Sequence, residues 1–100
     1  MEERIKLTKL KQEDLDALEL QAGLMFSIKE IAIILGIFPD DLSDMIATID
    51  SEEYKSFNKG RLLAEGKIRT SIYELAQNGS SPAQAQFLDL IENAKLDDAL

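Results

Sequence analysis

The side chains that could carry chemistry in this chain are carboxylates and amines. Asp40 and Asp41 stand side by side, as do Asp97 and Asp98, and paired carboxylates suit a divalent cation. Neither pair sits in the acidic spacing of an EF-hand loop, so neither is expected to hold a metal. The chain has no cysteine and no histidine. That removes disulfides, thiolate metal sites and imidazole acid–base catalysis. No serine stands beside a recognisable base, and no glycine-rich phosphate loop occurs. The reading is a protein that is not an enzyme and takes no cofactor.

The amines are the better candidates. The net charge is −8, from 11 basic and 19 acidic residues, but it is unevenly spread. Arg4, Lys6, Lys9 and Lys11 form one basic cluster, and Lys55, Lys59, Arg61, Lys67 and Arg69 form another. The stretch between them holds a single cation, Lys29. Clustered Lys and Arg are what a phosphate backbone requires. The second cluster has two readings: a grip on DNA or a ring-channel lining, and, more simply, the solvated face of a long helix.

These charges must be positioned by helices. Two prolines and five glycines among 100 residues, with no sustained apolar–polar alternation, argue for an all-α chain. One hundred residues suit one small domain with a modest core. Residues 1–10 read as a flexible arm, with Leu7 and Leu10 available to dock. Leu15, Leu18 and Ala22 recur at spacings of three and four and predict helix one over 11–22, which Gly23 is placed to end. Ser27-x-x-Glu30 is a capping box that opens helix two, predicted to run to Leu35. Its Ile33 and Ile34 broaden the apolar surface, so burial on more than one side is expected. Gly36 suits a left-handed turn, and Pro39 suits the first position of helix three, predicted over 39–49 with Leu42, Met45, Ile46 and Ile49 inward. Ile31-Ala32-x-x-Leu35-Gly36-Ile37, followed by Leu42 and Met45, is the spacing of a helix-turn-helix over 11–50, a motif used mostly on DNA. Its third helix, however, carries Asp40, Asp41 and Asp44, which would repel phosphates.

Asp50 and Ser51 restart the chain. Helix four is predicted over about 52–78, and Asn78-Gly79 ends it. Ser81 as cap, Pro82 at the first position and Gln84 closing the box start helix five, predicted to run to Lys95. The short link makes the last two helices an antiparallel hairpin over 51–95, with 96–100 a frayed tail. Arg61 alone interrupts the apolar stripe of helix four. Gly60 and Gly66, internal to it, are places where backbones could approach closely. Two helices cannot bury this stripe alone, so Tyr54, Phe57, Ile68, Ile72, Leu75, Phe87 and Ile91 are candidate self-association residues.

Three stretches resemble the small subunit of phage DNA-packaging terminases. They are Ile28-Lys29-Glu30-Ile31-Ala32-Ile33-Ile34-Leu35-Gly36-Ile37, Tyr54-Lys55-x-x-x-Lys59-Gly60-Arg61-Leu62-Leu63-Ala64-Glu65, and the run from Ile68-Arg69 through Leu75-Ala76-x-Asn78-Gly79-Ser80-Ser81-Pro82 to Ala85. The resemblance spans about 12–95. It implies an N-terminal helix-turn-helix on viral DNA, hairpins that assemble subunits into a ring, and engagement of the terminase large subunit, which carries the ATPase and nuclease. The chain departs from the pattern in its acidic third helix and in the short tail after Lys95.

The expectation is therefore a non-catalytic DNA-packaging adaptor. Double-stranded DNA would be met by Lys9, Lys11 and Lys29, with Ser43 and Thr48 as the polar groups of helix three. The alternatives are a protein-binding helical oligomer without DNA binding and a small helix-turn-helix transcriptional regulator. No apolar run is long enough to span a membrane and the N-terminus lacks a signal-peptide core. The expected setting is intracellular, the cytoplasm of a phage-infected or prophage-bearing bacterium.

Overall fold

Capping and apolar periodicity divide the chain into five helices, seen in a computed structural model that describes residues 4–99. They are α1 (Gln12–Gly23), α2 (Ile28–Leu35), α3 (Pro39–Ala47), α4 (Glu52–Gln77) and α5 (Ser81–Asp98). The fold is all-α: three short helices followed by a hairpin of two longer ones. None of the helices is long and apolar enough to cross a membrane, among the described residues.

The turn between α2 and α3 forms where the spacing places it. At the start of α2, Ser27 Oγ accepts from the Glu30 amide and the Glu30 carboxylate accepts from the Ser27 amide. At its end, Gly36 adopts φ +71°, ψ +32°, and the Ile37 amide donates back to Ala32 at 2.9 Å. Ile31, Ala32, Leu42, Met45 and Ile46 are buried in the resulting corner, together with Leu10, Leu15, Leu18, Ala22 and Phe57. Leu35 and Ile37 pack against this cluster half-buried.

Several local expectations are corrected. Helix α3 stops at Ala47, and Ile49 is 75% exposed rather than inward. The chain turns through Asp50 at φ +66°, which carries Ile49 off the helical stripe. Ile33 and Ile34 are exposed, so α2 is buried on one face only. Gly23 does end α1 as its place predicts, and Met25 beyond it is left-handed, at φ +67°. The N-cap of α5 is Ser80, not Ser81: its hydroxyl accepts from the Ala83 amide. Gln84 closes no box; it donates to the Ala76 carbonyl across the hairpin turn instead. Helix α5 continues to Asp98, so 96–98 are helical rather than frayed.

The chain divides into two units after Ala64, inside α4 and not at the Asp50–Ser51 link. The reason is that the first half of α4 completes the N-terminal core. Ser51 caps α4 by accepting from the Tyr54 amide, while its hydroxyl donates to the Met45 carbonyl of α3. Two turns on, Phe57 enters the core, and Gly60 lies against the backbone of α1: a methyl added there would meet the Glu19 carbonyl and lie 3.1 Å from Ala22 Cβ. Gly66 has no such neighbour. The second unit pairs the rest of α4 with α5 as a hairpin, and Ala83 is its only buried residue among those described.

Candidate functional site

Helix α3 is the element that a helix-turn-helix presents, so its surroundings decide what this unit can touch. The arm from Arg4 to Leu10 forms no helix or strand and lies along it. Arg4 grips Asp41 through both terminal guanidinium nitrogens, Nη1 at 2.5 Å and Nη2 at 3.2 Å. The Leu7 amide donates to the same carboxylate at 3.0 Å. Lys6 Nζ meets Asp44 at 2.7 Å, and Leu10 is buried in the core. The Arg4 guanidinium also stacks over Phe38, 3.9 Å from the ring centroid. Phe38 is thus an N-cap residue without capping chemistry that serves as a platform for a cation.

Asp41 is 2% exposed. The Arg4 hydrogen bond holds its carboxyl below the ordinary aspartate value of 3.8, against the opposing pull of burial. Arg4 and Lys6 are raised in turn, each chiefly by the hydrogen bond to its aspartate. The three acids of α3 therefore do not face outward as a bare negative surface. Asp41 and Asp44 are engaged by the arm, and of the three only Asp40 has no ion pair among the described residues. The register has a simple cause. Arg4 and Lys6, two positions apart in a segment that forms no helix or strand, both reach α3, and Ile5 between them is 93% exposed. Asp41 and Asp44 share one side of a helix one turn apart. That match of i, i+2 cations to i, i+3 anions is the sequence signal that would have found the contact.

The residues expected to meet DNA are not gathered into one surface. Lys29 and Ser43 line one open cleft, together with Ile28, Pro39 and Asp40 at the start of α3. Thr48 lies in a different groove, beside Lys6, Leu7 and Thr8 of the arm. Its hydroxyl donates to the Asp44 carbonyl, which turns it back on its own helix. Lys9 is exposed, and Lys11 is 3.8 Å from Glu13.

The second basic cluster is largely engaged in structure. Lys55 is near Glu52, Lys59 near Glu19 and Arg69 near Glu65, all at 3.5–3.9 Å. Arg61 has a separate role that its place in the apolar stripe disguised. Its Nε donates to the Ala22 carbonyl at 3.2 Å and its Nη2 to the Phe26 carbonyl at 2.9 Å. The guanidinium also lies over Phe57, 4.5 Å from the ring centroid. Helix α1 has no basic residue in its last turn, so α4 supplies the cation that its carbonyl end favours.

The self-association candidates separate into two groups. Phe57 belongs to the N-terminal core and is not available to a second copy; it faces α1 because Gly60, one turn on, lets the two helices close. Tyr54 is half-buried in the same unit. On the hairpin, Ile68 is 60% exposed, Leu75 56% and Ile91 37%, while Ile72 and Phe87 are half-buried. Leu88 and Leu96, not among the candidates, are 59% and 66% exposed. Tyr73 and Phe87 meet across the hairpin with ring centroids 5.2 Å apart. They border an open groove of about 480 Å³, lined also by Leu90 and Ile91. No group of three or more acidic side chains is arranged to hold a metal ion among the described residues. No family model, no curated protein and no solved structure matches the chain.

Proposed function

We propose that this chain is a non-catalytic assembly adaptor of the kind its sequence resembles, the small subunit of a phage terminase. The hairpin of α4 and α5 holds copies together, and the N-terminal unit of each copy meets duplex DNA. The observation that carries the reading is the hairpin itself. Beyond Ala64 it buries one residue among those described, Ala83, while Ile68, Leu75, Leu88 and Leu96 stand more than half exposed. A monomer rarely leaves so many large apolar side chains uncovered on one pair of helices. Lys9 and Lys29, which have no ion pair among the described residues, and Lys11, paired only with the neighbouring Glu13 at 3.8 Å, are the cations this reading assigns to the DNA. Repetition in an assembly compensates for so few charges per copy, because linked weak contacts multiply. Engagement of a large ATPase subunit belongs to the same proposal, through the resemblance.

A second reading is a protein-binding oligomer that ignores DNA. The arm favours it, since Arg4 and Lys6 are already committed to Asp41 and Asp44. Light scattering with and without a duplex fragment distinguishes the two. The adaptor reading expects a multimer whose mass rises with DNA at low salt, with binding that weakens steeply as salt is added. A multimer that leaves DNA unshifted at low salt selects the second reading. A dimer that prefers a palindromic site selects a small regulator, and a monomer that ignores DNA overturns all three.

A further inference from the structure

We propose that the acidic side of α3 is a receptor for an extended basic arm, and that in the assembly it accepts residues 4–7 of a second copy. The inference rests on the self-association proposed above. The receptor is defined by four groups: Asp41, buried and able to accept a two-pronged guanidinium; Asp44, one turn on; the Phe38 ring; and the groove at Met45 and Thr48. Its complement is an Arg-x-Lys-Leu segment in extended form. The arm of the same chain satisfies it with side chains and one backbone hydrogen bond, from the Leu7 amide. No helix or strand ties the segment to its own body between Arg4 and Leu10.

Every one of these contacts can be made identically by the arm of a neighbour, which is the condition for exchanging an element between copies at little cost. The competition is then set by local concentration and reach rather than by new chemistry. Leu10 stays in its own core, and the six residues back to Arg4 span about 20 Å when extended. Exchange therefore requires the α3 side of one copy to lie within that distance of its neighbour's Leu10. Thr8 and Lys9, both exposed, are the natural hinge.

The Lys6–Asp44 pair makes the test direct. At 2.7 Å and largely solvent-exposed, it is within range of a zero-length carbodiimide, which joins an amine to a carboxylate with loss of water. Full-length unlabelled and uniformly nitrogen-15-labelled chains are mixed in equal amounts, equilibrated, coupled and digested, and the Lys6–Asp44 cross-linked peptide is weighed. Exchange predicts mixed-isotope pairs, rising toward half of the total as protein concentration rises. Arg4→Gln should cut the yield of same-isotope and mixed pairs alike severalfold, because it removes the same contact from both. Same-isotope pairs alone, no Lys6–Asp44 pair at all, or a total pair yield indifferent to Arg4→Gln would each overturn the proposal. Light-scattering mass on the same mixture separates this outcome from the reading beneath it. A multimer with only same-isotope pairs ends arm exchange and leaves assembly standing, whereas a monomer at every concentration ends both.

Discussion

The close approach of α1 and α4 can be tested with one substitution made at two places in the same helix. Gly60 and Gly66 both lie in α4, and at each an alanine improves helix propensity by about 1 kcal/mol. At Gly66 nothing lies within 4 Å of the added methyl, so Gly66→Ala should stabilise the protein by about 0.5–1 kcal/mol. At Gly60 the methyl meets backbone: it overlaps the Glu19 carbonyl oxygen, with the carbonyl carbon at 3.0 Å and Ala22 Cβ at 3.1 Å. Backbone cannot rotate away as a side chain can, so α1 and α4 must separate by about 1 Å to restore van der Waals contact. Such overpacking costs about 1–3 kcal/mol. The separation also stretches the two Arg61 bonds to Ala22 and Phe26, each of a kind worth about 1.5–3 kcal/mol when made by a charged donor. After the propensity gain is subtracted, Gly60→Ala should lose about 2 kcal/mol, or roughly 8–16 °C in melting temperature for a chain of this size. Circular dichroism melts at one fixed protein concentration measure both variants, since assembly makes the midpoint depend on concentration. Equal stabilisation by the two substitutions would refute the packing of α1 on α4.

Arg61→Met keeps the apolar stem and removes both carbonyl contacts, so urea unfolding should show a loss of about 3 kcal/mol, the low end for two such bonds, with Arg61→Lys recovering only part. Gly36→Ala places a Cβ at φ +71° and should cost about 1 kcal/mol, whereas Met25→Gly, at φ +67°, should be neutral or stabilising by up to about 1 kcal/mol. Asp41 and Glu30 have folded carboxyl values lowered, by the Arg4 side chain and by the Ser27 amide respectively. Their contribution is fully present above the ordinary values of 3.8 and 4.5 and is lost as pH falls through the lower folded values. Melting temperature should therefore drop below about pH 4, and Asp41→Asn should lower it at pH 7 while flattening that acid slope; an unchanged slope would show that Asp41 is not held by Arg4. Ile68→Glu combined with Leu75→Glu puts charge on the exposed hairpin face and should reduce the light-scattering mass without loss of helical signal.

Local order was legible in the residues because local order has local causes. The capping box at Ser27, the left-handed Gly36, the proline opening α3 and the apolar spacings each act within a few residues, and they were sufficient for an all-α chain of three short helices and a hairpin. Helix ends were misread where the competing signals were nearly equal, as with Ser80 against Ser81, or where a distant contact chose. Gly23 does end α1, and a distant contact adds a second reason for glycine there: a side chain would face the Gly60 carbonyl, 3.1 Å from where its Cβ would be. Arg61 looked like an interruption of a stripe, and its partners are carbonyls 35 and 39 positions earlier in the chain.

The charges show the same division. Composition alone determined an acidic chain with no histidine or cysteine chemistry and with two basic clusters. It could not say whom those cations answer, because Arg4 and Asp41 are 37 residues apart and nothing local links them. Only tertiary packing brings the arm across α3, and with it the charges that made that helix look hostile to every polyanion are partly neutralised. Burial of Asp41 then demands a guanidinium at that point, since an unpaired carboxylate there would carry its full desolvation cost. The residue types determined the helices and the kinds of charge available; the tertiary structure decided which charges are spent inside the molecule and which remain for a partner.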